Sequence, residues 1–173
     1  MQTPNTLRSR LPIFLTLAWA VATALHPASV RAQMAGKDLV GTWNLTSISS
    51  EQNGVKTETY GPGAKGQLLL DAGGRFSTIY SRADLPKFAS NARTTGTPEE
   101  NKAIVQGSLA YFGTYTVTEA DKTINLRIET STFPNWNGTD QKRTYTLSGD
   151  ELTIINAQAS GGGTAQVVWK RAK

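Results

Sequence analysis

Turn-forming clusters recur from Gly41 to the end of the chain: Asn53-Gly54, Gly61-Pro62-Gly63, Asp71-Ala72-Gly73-Gly74, Ser148-Gly149-Asp150 and Gly161-Gly162-Gly163. They cut the chain into pieces of strand length and leave little room for long helices. Alternation of apolar and polar residues between them predicts strands over 41–49, 55–60, 66–71, 75–81, 110–118, 122–131, 142–148, 151–156 and 164–171. Short connections make neighbours antiparallel. That many short strands in an open sheet would expose unpaired edges, and closing the sheet on itself removes them. Similar pieces stand at the two ends, Gly41-Thr42-Trp43 and Val168-Trp169-Lys170-Arg171, so the first and last strands are expected to meet. The expectation is an all-β fold, a single antiparallel barrel of eight to nine strands with one short helix.

The helix is marked by Thr97-Pro98-Glu99-Glu100. Thr97 can cap, Pro98 occupies the first helical position, and Glu100 stands where a capping box needs its carboxylate. A helix over 98–108 follows. The stretch before it, 82–96, is polar and turn-rich, and reads either as a flap over a barrel mouth or as a surface excursion.

At the N-terminus, Arg8 and Arg10 precede an uncharged apolar stretch over 11–25, and Val30-Arg31-Ala32 supplies small residues where a signal peptidase cuts. Residues 1–32 are therefore expected to be a cleaved secretory signal peptide, leaving 33–173 as one domain, exported to the periplasm or the medium. A spanning helix needs about 20 apolar residues, more than this stretch offers, so no membrane span is expected after cleavage. The leader holds Arg8, Arg10 and Arg31 and no acidic residue, so the whole-chain formal charge of +5 falls to +2, fifteen basic residues against thirteen acidic. No Lys/Arg run exceeds a pair, which argues against a nucleic-acid partner. The chain has no cysteine, and its one histidine, His26, falls in the leader. Disulfides, histidine-assisted serine or cysteine catalysis, and His/Cys zinc sites are thereby unavailable to the exported domain. No Asp-rich loop has calcium-binding spacing. Neither a metal nor a cofactor is expected.

Alternation also assigns faces. Ile124, Leu126 and Ile128 share one face, Asn125, Arg127 and Glu129 the other. In 142–148 the set Arg143, Tyr145 and Leu147 is placed inward. An interior guanidinium needs a carboxylate, carbonyls or an anionic ligand to offset its desolvation, so Arg143 is either satisfied internally or anchors a ligand. Tyrosine combines an apolar ring with a polar handle, the mixture a small-molecule pocket uses. Phe76, Thr78 and Tyr80 share a face, as do Tyr111, Gly113 and Tyr115. In the Pro134–Thr139 block, Pro134 fixes one dihedral and Asn137-Gly138 suits positive φ, giving a turn whose Trp136 can line the mouth or form a corner.

These blocks, taken in order, carry a resemblance. Leu39-Val40-Gly41-Thr42-Trp43, Gly61-Pro62, Gly74-Arg75-Phe76-Ser77, and Ala110-Tyr111 leading to Gly113-Thr114-Tyr115 come first. Pro134-Asn135-Trp136 with Gly138-Thr139 and Arg143, and the closing Trp169 and Arg171, complete it. From about Leu39 to Lys173 the chain resembles the bacterial lipocalin-like domain family. The resemblance implies a calycin-type barrel with an interior pocket, in which Trp43 packs across the barrel end against Arg171 as a structural pair. Some members carry a histidine where this chain reads Leu126-Arg127-Ile128, so chemistry attached to that histidine does not transfer.

The reading these features favour is an exported protein binding a small apolar or amphipathic molecule inside the barrel, through Tyr80, Tyr111, Tyr115, Trp136, Arg143 and Tyr145. One alternative is a barrel isomerase or cyclase acting on a small hydrophobic substrate without metal or histidine, with Glu129 and Tyr145 as acid–base candidates. Another is an envelope interaction module with a packed interior. A cavity lined by Tyr111, Tyr115, Arg143 and Tyr145 would separate the first two from the third, and a carboxylate inside it would favour chemistry.

Overall fold

The computed structural model describes residues 36–173, so the expected leader lies outside the described residues. All nine expected strands are present, with ends displaced by at most three residues: β1 Gly41–Gln52, β2 Val55–Glu58, β3 Lys65–Leu70, β4 Arg75–Ser81, β5 Ser108–Thr118, β6 Thr123–Ser131, β7 Asp140–Ser148, β8 Glu151–Asn156 and β9 Thr164–Arg171. One α-helix, α1, spans Pro98–Gly107, and 3-10 turns occupy Lys37–Leu39 and Pro134–Trp136.

Consecutive strands from β3 to β9 pair antiparallel, and β1 closes the ring by pairing with both β3 and β9. The barrel therefore has eight strands, while β2 pairs only with the far half of β1, from Ser49↔Glu58 to Gln52↔Val55. The inward phase of each strand carries the apolar residues, as the alternation demands: Phe76, Leu109, Ile124, Leu126, Ile128, Leu152, Ile154 and Val167 are all buried.

Two bulges break this alternation. In β6, Phe112 faces Thr130 but Gly113 faces Ile128, so Glu129 is extra. Beyond it the phase reverses, and Ser131 turns inward while Glu129 and Thr130 both face out. Gly113 is what lets the bulged backbone approach, since a Cβ there would sit 1.9 Å from the Arg127 carbonyl oxygen. In β1 the break falls between Leu45 and Ser47 and turns Ile48 inward.

One end of the barrel is sealed by the chain entering it. Leu39 is buried under the strands, and the buried Trp43 indole donates to its carbonyl at 2.8 Å. The Arg171 guanidinium lies 4.1 Å from the Trp43 ring centroid and donates to the Val40 and Asp38 carbonyls. That is the structural pairing the resemblance implied. At this end too, the Tyr115 hydroxyl donates to the Asp71 carbonyl at 2.8 Å.

Helix α1 lies outside the barrel and begins with a complete capping box, the Thr97 hydroxyl accepting from the Glu100 amide and the Glu100 carboxylate accepting from the Thr97 amide. Residues 82–96 are laced to it, with the Ala89 amide donating to Glu100 and the Arg82 amide to the Gly107 carbonyl. Arg82 and Leu85 occupy the space a side chain at 107 would need. None of residues 82–96 lines the interior cavity.

Candidate ligand cavity

Opposite the sealed end a cavity enters the barrel. A small outer chamber is walled by Ile48, Tyr60, Leu109, Trp136 and Val167 and rimmed by the Ala159–Gly162 stretch. Beneath it a much smaller inner chamber, with room for little more than one water-sized group, is walled by Leu68, Leu70, Phe76, Ile124, Leu126, Ile154 and Trp169. Tyr80, Tyr111 and Arg143 border both chambers, so they form a polar layer between two largely apolar spaces.

This layer is held by its own hydrogen bonds. One Nη of Arg143 donates to the Tyr111 hydroxyl at 2.6 Å, the other to Gln141 Oε1 at 2.7 Å. The Tyr80 and Tyr111 hydroxyls are 3.2 Å apart. Aromatic rings stack around it: Tyr60 on Tyr80 at 6.0 Å, Tyr80 on Trp169 at 5.5 Å, and Trp136 edge-on to Tyr111 at 5.3 Å. The Arg143 guanidinium lies 5.2 Å and 5.6 Å from the Tyr111 and Trp136 ring centroids.

Arg143 is 6 % exposed. Burial works against its charge, but the facing phenol oxygens of Tyr111 and Tyr80 hold its pKa above the ordinary arginine value. Burial first, and Tyr111 second, push the Tyr80 phenol well above its ordinary pKa, and the same causes push Tyr60 up to about 12. The layer thus sets one buried cation beside the Tyr80 phenol, whose proton is held more tightly than usual. No Asp or Glu lines either chamber, and the ion pairs among the described residues join other partners, such as Arg75–Glu129 and Arg127–Asp140.

Of the residues singled out in the sequence, Tyr80, Tyr111, Trp136 and Arg143 converge on the cavity. Three do not. Tyr115 and Tyr145 are buried on the expected inward faces but line neither chamber. Alternation fixes a face but not a depth. Four residues along a strand advance about 13 Å, which carries Tyr115 from the level of Tyr111 to the sealed end. Tyr145 likewise lies past Arg143 beside Lys122, whose Nζ is 5.8 Å from its ring centroid. Glu129, offered as an acid–base group, is the bulged residue of β6 and stands on the outer face in an ion pair with Arg75. That bond from Arg75 lowers its pKa.

The sequence reading missed Tyr60, Gln141, Asn156 and the Ala159–Gly162 rim. Asn156 was findable, since it continues the inward phase of Leu152 and Ile154. Tyr60 was not. It lies beyond the end of β2, and the turn that follows folds it over Tyr80. The Pro134 turn also differs in detail: only Gly138 has positive φ, at 69°, while Asn137 has φ −59° and accepts the Ser131 amide at 2.7 Å. Among the described residues no group of His, Asp or Glu is placed to hold a metal ion, and no helix is long and apolar enough to cross a membrane.

A closed eight-stranded antiparallel barrel with a blind interior cavity defines a calycin-type protein. The sequence pattern of the lipocalin-like domain family matches residues 40–172, and the chain belongs to that family. Among curated proteins, it is 33 % identical over 79 residues to the 4'-hydroxy-3'-methoxypropiophenone carrier protein ppsC of Aspergillus oryzae, covering 42 % of this chain and 71 % of the relative. Among solved structures, a REP1-NXSQ fatty acid transporter overlaps 79 % of this chain and 97 % of its own at 14 % identity, with a TM-score of 0.38, too loose an overlap to bear on ligand or mechanism.

Proposed function

We propose that this protein is an exported carrier that holds one small, largely apolar molecule in the barrel, with the molecule's polar group against Arg143. The observation that carries this reading is a buried guanidinium without a carboxylate partner, set between apolar chambers that open at one end. Leaving a cation unpaired in a low-dielectric site costs several kcal/mol, a cost that an acceptor group on a guest would offset. The aromatic outer wall suits such a guest, and a relative 33 % identical over 79 residues is named as a carrier of an aryl ketone. Carriage is preferred to isomerisation or cyclisation because the carboxylate that chemistry would use, Glu129, faces away from the cavity. It is preferred to an interaction module because a cavity reaches the buried guanidinium from the open end of the barrel. Export rests on the 1–32 pattern alone.

Native mass spectrometry of protein purified from its own host tests both parts. The expected result is a chain beginning at Gln33 that retains a small molecule and releases it chemically unchanged. Binding of the neutral fluorophore N-phenyl-1-naphthylamine, with a blue-shifted emission, is the accompanying check. A chain that carries no guest and leaves the fluorophore's emission at its aqueous value would refute carriage, and an uncleaved N-terminus would refute export.

A further inference from the structure

Among the described residues, three buried side-chain polar atoms have no hydrogen-bond partner: Thr78 Oγ1, Arg143 Nε and Trp169 Nε1. All belong to side chains lining the inner chamber, and they are 5 %, 6 % and 1 % exposed. They come from β4, β7 and β9, so closure of the barrel alone brings them to one space. Native interiors rarely leave such groups unpaired. Three of them in one apolar chamber mark a place where an acceptor is missing.

The chemistry of that acceptor follows from the donors. The indole N–H and the guanidinium Nε–H can only donate, and the threonine hydroxyl can donate. One of the three belongs to a permanent cation with no counter-charge in either chamber. A water molecule offers two lone pairs and no charge. A carboxylate offers about four lone-pair sites and the missing negative charge.

We propose, building on the carrier reading above, that the inner chamber is a head-group subsite for the carboxylate of an amphipathic acid. The acid enters head-first, parts the 3.2 Å contact between the Tyr80 and Tyr111 hydroxyls, and accepts from Arg143, Trp169 and Thr78. Its apolar tail stays in the outer chamber against Tyr60, Leu109, Trp136 and Val167. The polarity is the reverse of a bowl that holds a greasy tail at its base and leaves the head in water.

The test compares two probes with one tail, dodecanoic acid and dodecan-1-ol, by their displacement of N-phenyl-1-naphthylamine at pH 7.5. The acid is expected to displace at a concentration at least about tenfold lower than the alcohol, the margin a charge-assisted hydrogen bond supplies. Trp169→Phe and Thr78→Val remove donors that border only the inner chamber, and each is expected to weaken acid binding about tenfold while leaving the alcohol within about twofold. Thr78→Val keeps the side-chain shape and removes an unpaired group, so its folding is secure even if Trp169→Phe fails. Equal displacement by acid and alcohol overturns the subsite and leaves the carrier reading standing. So does an acid preference that survives both substitutions, because the head would then sit in the outer chamber. A wild-type protein that does not take up the fluorophore at all overturns the carrier reading, and the subsite with it.

Discussion

Replacing Arg143 with methionine separates a guanidinium kept for a guest from one kept for the fold, because the two roles predict opposite signs of stability change. The side chain makes two hydrogen bonds, to Tyr111 and Gln141, each worth about 1 kcal/mol net. Tyr111 keeps Tyr80 as a partner, and Gln141 is only half-buried, so water can replace its bond. Against that loss stands relief of an unpaired buried charge, which apolar replacement of similar volume turns into a gain of about 1–4 kcal/mol. The guest-free Arg143→Met protein is therefore expected to be as stable as wild type or up to about 3 kcal/mol more stable, a rise of up to about 10 °C in Tm at this size. At the same time its affinity for dodecanoate should fall about tenfold to a hundredfold. Circular-dichroism melts of guest-free protein, with fluorophore displacement on the same samples, read both quantities. A fall in Tm of more than about 6 °C with unchanged dodecanoate binding would refute the reasoning, since the guanidinium would then be a structural hub satisfied by its internal partners.

Other perturbations test the frame around the cavity. Gly113→Ala drives a Cβ to within 1.9 Å of the Arg127 carbonyl oxygen; it should cost at least about 3 kcal/mol, since backbone cannot yield as a side chain does, and lower Tm by about 10 °C. Gly161→Ala, with open space around the position, should leave Tm within about 2 °C. Thr97→Ala removes one half of the capping box and should cost about 1 kcal/mol in melting experiments, without altering fluorophore binding, because α1 lies outside the barrel. In alkali, folded Tyr60 has a pKa of about 12 against an ordinary 10.0, so the native state binds the phenolic proton more tightly than the unfolded chain. Its contribution is intact below pH 10 and is lost as pH rises toward 12. Tm should decline over that window, and Tyr60→Phe should flatten the decline; identical slopes would refute the assignment.

Strand number, strand ends, the capped helix and the inward placement of Arg143 were all legible in one dimension, because alternation and turn chemistry are local rules. Face is a property of a residue and its immediate neighbours, so the inward sets of β4, β5 and β7 could be read directly. Depth is not local. Tyr111 and Tyr115 are indistinguishable by period, and only the tilt and register of the closed sheet put one beside Arg143 and the other at the sealed end. Bulges lie outside the alternation rule as well, and the one at Glu129 reverses the phase that brings Ser131 inside.

The sequence by itself determined that this chain would close a barrel without disulfides and would turn a cation into its interior. Tertiary structure alone decided what surrounds that cation. Closure sets β4, β7 and β9 around one chamber, so Thr78, Arg143 and Trp169, scattered along the chain, meet there with no carboxylate among them. Which groups remain unpaired depends on distances across the barrel, and no periodicity along a single strand contains those distances.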